Sequence, residues 1–179
     1  METHRMRNAM RDWFGSLDWG EGIAVTLTFP PKIAAVREAV EGHLKHFWNV
    51  ADGEKFGNLS KRQTRPYRIQ RVCCIEAGAN QDNYHCHAMV KVSTHPYANP
   101  DYTTVTGMLG LLEKTWFQKM TFNVMQPTSA YEFSPITTSS TTAAAWHAYM
   151  TKKVTDWNTD ALCLKTSWLS DGQSEEASA

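Results

Sequence analysis

Along residues 84–90 apolar and polar positions alternate, with Tyr84, Cys86, Ala88 and Val90 set against His85, His87 and Met89. Alternation of period two predicts a strand whose two sets point to opposite faces of a sheet. His85 and His87 therefore share a face. The same pattern predicts a strand over 23–29, with Ile23, Val25, Leu27 and Phe29 on one side and Ala24, Thr26 and Thr28 on the other. A third strand is predicted over 68–77, where Ile69, Cys73 and Ile75 oppose Gln70, Val72, Cys74 and Glu76. Turn-forming residues at 78–83 join this strand to the histidine strand as an antiparallel hairpin. Helical spacing predicts helices over 2–17, over 31–48 (Ile33, Val36, Val40, Leu44, Phe47, Trp48) and over 101–119 (Val105, Met108, Leu111, Leu112, Trp116). Ser139 to Thr142 supply an N-cap for a helix over 143–154. A further strand begins at Phe122 and continues less clearly to Phe133; residues 51–64 read as a polar loop, and 155–168 follow no single pattern.

After the first helix the order is β-α-β-β-α-β followed by a helix, which predicts an α+β fold of the ferredoxin-like or RRM-like kind. Two helices cover one face of its antiparallel sheet, and the last helix, with Tyr149, lies on the other. If the more apolar set of each strand faces the helices, Thr26, Thr28, Glu76, His85 and His87 all fall on that other face. The expected organisation is a helical extension over 1–19, one main domain over 20–168 and a disordered tail over 169–179.

Composition narrows the function classes. The 179 residues carry 18 basic and 18 acidic side chains, so bulk attraction to phosphate is not the organising force. Basic residues still cluster at Lys61, Arg62, Arg65, Arg68 and Arg71, and at Arg5, Arg7 and Arg11 on the first helix. The sequence shows no apolar run of membrane-spanning length and no secretory h-region after its N-terminus. Cys73, Cys74, Cys86 and Cys163 match neither a disulfide framework nor a zinc spacing, and are read as reduced, mostly buried thiols.

Two imidazoles and a carboxylate make a three-ligand set with open positions, suited to Mg²⁺ or Mn²⁺. Glu76 has the phase to complete such a set with His85 and His87. His43, His46 and His95 lie away from that face and are read as ordinary surface. Trp13, Trp48 and Tyr84 are candidate stacking surfaces for a base.

Three short stretches then resemble ordered motifs of the HUH endonucleases, and more closely the single-tyrosine replication initiators (Rep proteins) of rolling-circle plasmids, phages and small circular DNA viruses. They are Thr26-Leu27-Thr28-Phe29 closing the first strand, His85-Cys86-His87 on the third, and Tyr149-Met150-Thr151-Lys152 on the late helix. Cys86 departs from the pattern, since a bulkier aliphatic residue is usual between the histidines; it is expected to point into the core. The resemblance implies sequence-specific nicking and joining of single-stranded DNA. Tyr149 is the implied nucleophile, Lys152 its helper (with Lys153 a rival), and His85, His87 and Glu76 the ligands of Mg²⁺ or Mn²⁺. Thr26, Thr28, Arg62, Arg65, Arg68 and Lys153 are the implied DNA contacts.

The implied partner is single-stranded DNA or an origin hairpin. No GxxxxGKS or GxxxxGKT occurs, so an initiator that borrows a host helicase as second partner and a nuclease domain cut from a longer chain both fit. The expected location is a bacterial cytoplasm or nucleoid, with a virus of eukaryotes as the other host class. A transposase or mobilisation relaxase would share the chemistry, and a non-catalytic nucleic-acid-binding module would make the histidine pair incidental. A cyclic-nucleotide phosphodiesterase would need two separated HxT or HxS motifs. A histidine-triad hydrolase would need a third histidine where Met89 stands.

Overall fold

A computed structural model of the chain describes residues 5–61, 67–78, 83–120, 131–137, 141–155 and 161–169, with only the backbone path for 131–137 and 141–142. The elements are α1 (Arg5–Ser16), β1 (Glu21–Thr28), α2 (Pro31–Ala34), α3 (Arg37–Phe56), β2 (Arg71–Glu76), β3 (His85–Lys91), α4 (Val105–Lys114), β4 (Tyr131–Thr137) and α5 (Thr141–Met150). All strand pairs are antiparallel and the sheet order is β2-β3-β1-β4. This is the α+β, ferredoxin-like arrangement that the element order predicts.

The sheet has apolar cover on both faces. Ile23, Val25, Leu27, Cys73, Ile75, Cys86, Ala88 and Val90 pack with Val40, Leu44, Phe47 and Trp48 of α3 and Met108, Leu111 and Leu112 of α4. On the opposite face Ala24, Val72, Cys74 and Met89 pack with Phe14 of α1 and Met150 of α5. The alternation in each strand is thus read out as two cores, with Cys86 fully buried in the first. All four cysteines are free and buried.

Three expectations change. The helix expected over 31–48 is broken: Val36 is extended (φ −129°, ψ 116°) and 48% exposed, so it leaves the buried stripe. The second part then runs on to Phe56, through residues read as a polar loop, and stops at Gly57, whose φ of +58° is a conformation glycine adopts freely. Asp52 and Lys55 disguised this last turn as polar, yet both are buried. Asp52 accepts from Arg71 at 3.0 Å and from the Ile69 amide at 2.8 Å, while the Lys55 ammonium donates to the carbonyls of Ser93 (3.1 Å) and Tyr102 (3.0 Å). Buried polar groups persist where such partners satisfy them.

The third expectation is the 101–119 helix, which comprises a 3₁₀ turn at Pro100–Tyr102, α4, and a wider π turn at Thr115–Lys119. The strand proposed from Phe122 lies outside the described residues up to 130; its described part is β4. Residues 161–169, patternless in sequence, cover the free edge of β2. Arg71 and Trp168 exchange backbone hydrogen bonds of 2.7 and 2.8 Å, and the Cys163 amide donates to the Cys73 carbonyl at 2.8 Å.

Candidate metal centre and tyrosine helix

The pairing register assembles the site. Glu76 stands directly opposite His85, which stands opposite Thr28; the next row on the same face is Cys74, His87, Thr26. Side chains directly opposite one another sit ~5 Å apart, so β2 and β3 bring the carboxylate and both imidazoles together at one end of the sheet. Glu76 Oε2 lies 3.7 Å from His85 Nε2 and 3.8 Å from His87 Nε2. One ligand atom from each residue falls within 4.8 Å of the others.

These residues fit a metal ion. Glu76 Oε1 and His87 Nε2 are buried without a hydrogen-bond partner, while Glu76 Oε2 faces the Lys152 ammonium at 3.2 Å. Unpartnered buried polar atoms are rare and mark a missing ligand or strain. Both imidazoles are also oriented from behind. His85 Nδ1 is 3.2 Å from the Asn83 carbonyl, which can only accept, so Nδ1 carries the proton and Nε2 is free to ligate. His87 Nδ1 is 3.1 Å from the Thr26 hydroxyl, which accepts from it in the tautomer that frees Nε2. Burial, followed by the nearby His85 and Lys152, pushes the His87 imidazole down to about 3, so it stays neutral at ordinary pH. Burial also raises the Glu76 carboxyl, against the opposing pull of Lys152, His85 and Lys153. The Glu76–His85–His87 group is therefore arranged to hold a metal ion.

α5 delivers the tyrosine to this end of the sheet. Ala143, Ala144 and Ala145 favour helix, and Met150 anchors its inner face in the second core. Tyr149 is 44% exposed and its ring is held on three sides. Trp146 stacks on it (centroids 5.5 Å, planes 19°), His87 meets it edge-on (4.7 Å, 71°), and the Lys152 ammonium sits 3.4 Å from its centroid. The Trp146 indole donates to the Ala88 carbonyl at 3.2 Å, so it is a wedge between β3 and the tyrosine, and not simply core.

Lys152 Nζ also lies 3.2 Å from Glu76 Oε2, which separates it from its rival. Lys153 is exposed, and its charge is felt at Glu76.

Other candidates lie elsewhere. Arg68 pairs with Asn49 at 3.2 Å and Asp52 at 3.6 Å and stacks on Trp168, eight residues before Glu76. That is about 25 Å of extended chain from the cluster. Arg62 and Arg65 lie outside the described residues. Trp48 is fully buried under Arg71 and offers no stacking surface, whereas Trp13 and Tyr84 are half-buried. His147 is buried against Phe14.

Sequence reasoning missed the bracing of α5 by α1. Arg7 Nε donates to the Val154 carbonyl at 3.0 Å, and Arg11 reaches the Thr151 hydroxyl at 3.1 Å and the Ala148 carbonyl at 3.3 Å. The Arg11 guanidinium thus satisfies a carbonyl in the last turn of α5 and offsets its negative dipole end, while Arg7 holds the chain four residues beyond it. Three arginines on one helix were the only signal, and they read equally well as a nucleic-acid patch.

No family model, no curated protein and no solved structure matches this chain. No helix among the described residues is long and apolar enough to cross a membrane.

Proposed function

We propose that the chain is a metal-dependent, single-tyrosine DNA nickase and rejoining enzyme of the HUH kind, acting on single-stranded DNA to initiate rolling-circle replication. One observation carries this reading: Tyr149 on α5, Lys152 just beyond its end, Glu76 on β2, and His85 and His87 on β3 converge at one end of one sheet face.

Tyr149 supplies the phenolic oxygen that attacks the scissile phosphorus. A Tyr–O–P bond forms and the P–O3′ bond breaks. The electron pair leaves on the 3′ oxygen, which takes up a proton to become a free 3′-hydroxyl, and the phenolic proton passes to solvent. The 5′ end stays on Tyr149 as a phosphotyrosine that a later 3′-hydroxyl can attack in reverse. Trp146 and His87 limit the ring to one approach, which places the nucleophile before the DNA arrives. The Lys152 ammonium is within reach of both the phenol and a phosphate beside it. Glu76, His85 and His87 would hold Mg²⁺ or Mn²⁺, which would supply charge stabilisation for a non-bridging phosphate oxygen. A bacterial cytoplasm or nucleoid, or a cell that hosts a small circular DNA virus, with a host helicase opening the duplex, is a setting that suits this activity.

The test mixes the full chain with a randomised single-stranded DNA library and Mn²⁺, followed by a denaturing gel. A protein-linked DNA band is expected from wild type and from neither Tyr149→Phe nor His85→Ala/His87→Ala. Measurable DNA binding without such a band would replace this reading with a non-catalytic binding module.

A further inference from the structure

Glu76 Oε2 is claimed twice. It is the oxygen nearest both imidazole Nε2 atoms, at 3.7 and 3.8 Å, and it is also the oxygen that faces the Lys152 ammonium at 3.2 Å. The Glu76 side chain is 1% exposed, so its charge needs a cation beside it whatever else the site contains. An ion held by Glu76 and the two imidazoles would approach the same carboxylate. An ammonium and a divalent cation beside one partly buried carboxylate repel each other strongly, so each weakens the hold of the other.

The lysine has somewhere to go. Its side chain is 34% exposed, and its ammonium already lies 3.4 Å from the Tyr149 ring centroid. Leaving Oε2 therefore keeps it beside the phenol, on the side where a phosphate would dock.

We infer that Lys152 is the resident counter-ion of Glu76, that it competes with the divalent ion for Oε2, and that metal loading hands its ammonium over to Tyr149 and the phosphate it attacks. This rests on the metal-dependent nickase reading and adds to it an order of events. The metal must come first, and the lysine becomes available to the DNA only afterwards. An enzyme without metal would then hold its phosphate-binding lysine back from DNA.

The experiment is calorimetric titration of Mn²⁺ into the full chain at 150 mM salt, where distant surface charges are largely screened. Wild type, Lys152→Met, Lys153→Met and Glu76→Gln are compared. Lys152→Met is expected to bind Mn²⁺ at least five-fold more tightly than wild type, Lys153→Met to change less than two-fold, and Glu76→Gln to lose the site. Equal or weaker binding by Lys152→Met overturns the inference, as does equal tightening by both lysine variants, which would mark a diffuse field. Absence of Glu76-dependent binding in wild type and Lys152→Met alike would instead remove the metal centre itself.

A second readout follows the lysine directly. After reductive methylation with ¹³C-formaldehyde, the Lys152 methyl signal, assigned by its loss in Lys152→Met, is expected to be shifted by the aromatic ring below it and to move on addition of Mg²⁺. A signal that stays in place while Mg²⁺ binds would also overturn the inference.

Discussion

The Lys152 ammonium faces the Glu76 carboxylate across 3.2 Å, and this pair ties the end of the tyrosine helix to the hairpin that carries the candidate metal ligands. Tyr149 and the imidazoles belong to segments more than 60 residues apart in sequence, so nothing local relates them. The ion pair, the Tyr149–His87 edge contact and the Trp146 wedge place Tyr149 against the Glu76–His85–His87 group.

The nucleophile and the metal centre should separate cleanly by mutation. Tyr149→Phe removes one exposed hydroxyl and keeps the ring that packs on Trp146 and His87. Covalent adduct formation is expected to fall below detection, at least ~10³-fold, as loss of an essential nucleophile requires. Mn²⁺ affinity and melting temperature should stay within two-fold and ~1 °C of wild type. A residual adduct of wild-type yield would point to another nucleophile.

Metal binding should appear as stability that Glu76→Gln cannot gain. A ligand at about 100 times its dissociation constant stabilises the folded state by ~2.7 kcal/mol. For a chain of this size that corresponds to a melting-temperature rise of roughly 5–10 °C with Mn²⁺. Glu76→Gln keeps the shape but loses the anionic ligand, so its melting temperature should not respond to Mn²⁺. Calorimetric scans with and without EDTA make the comparison; an equal rise in both proteins would place the ion elsewhere.

How much of this was legible beforehand differs residue by residue. Strand phase was readable, because β1, β2 and β3 each put branched or aromatic side chains on one face. That alone aligned Thr26, Glu76, His85 and His87. The end of α3 was hidden because Asp52 and Lys55, polar by type, are buried by contacts with Arg71, Ser93 and Tyr102, all distant in sequence. The duties of Arg7 and Arg11 were hidden for the same reason: a helix surface arginine carries no mark of the carbonyl it will meet 137 residues later.

Lys55 gives the protein an alkaline signature. Burial pushes its ammonium down to about 8, with Asp52 opposing, against 10.5 in the unfolded chain. Between these values the unfolded chain holds a proton that the folded chain has released, so the contribution of Lys55 to stability rises with pH across that window. Below pH 8 it stays at its least favourable level. The full span is worth about 3 kcal/mol. Urea unfolding of wild type and Lys55→Met at pH 8 and pH 10 should show the stability difference between them moving in favour of wild type by ~2 kcal/mol. A constant difference would mean that the amine is as freely ionised as a surface lysine.

Bracing by α1 should matter to the chemistry more than to the metal. Arg11 holds the last turn of α5 through Thr151 and Ala148, whereas every metal ligand lies on β2 or β3. Losing these hydrogen bonds to a charged group costs ~1.5–3 kcal/mol of local order. Arg11→Ala is therefore expected to slow adduct formation about ten-fold at saturating DNA, with Mn²⁺ affinity within two-fold. Equal losses in both would show that α1 supports the whole sheet face and not the tyrosine helix in particular.

Thr26 was expected to contact DNA, and its hydroxyl lies 3.1 Å from His87 Nδ1, which gives it a second candidate role. The imidazole can present its Nε2 lone pair only while Nδ1 carries the proton, and Thr26 Oγ1 is the acceptor that favours this tautomer. Outer partners of this kind are typically worth ~10–100-fold in metal affinity. Thr26→Val, which keeps the shape and removes the oxygen, should weaken Mn²⁺ binding by that factor, and Thr26→Ser should restore most of it. Single-stranded DNA affinity measured without metal should be unchanged in both, because the hydroxyl faces the imidazole and not the strand. If Thr26→Val instead weakened DNA binding and left Mn²⁺ affinity alone, the hydroxyl would belong to the DNA interface after all, and His87 would hold its tautomer without it.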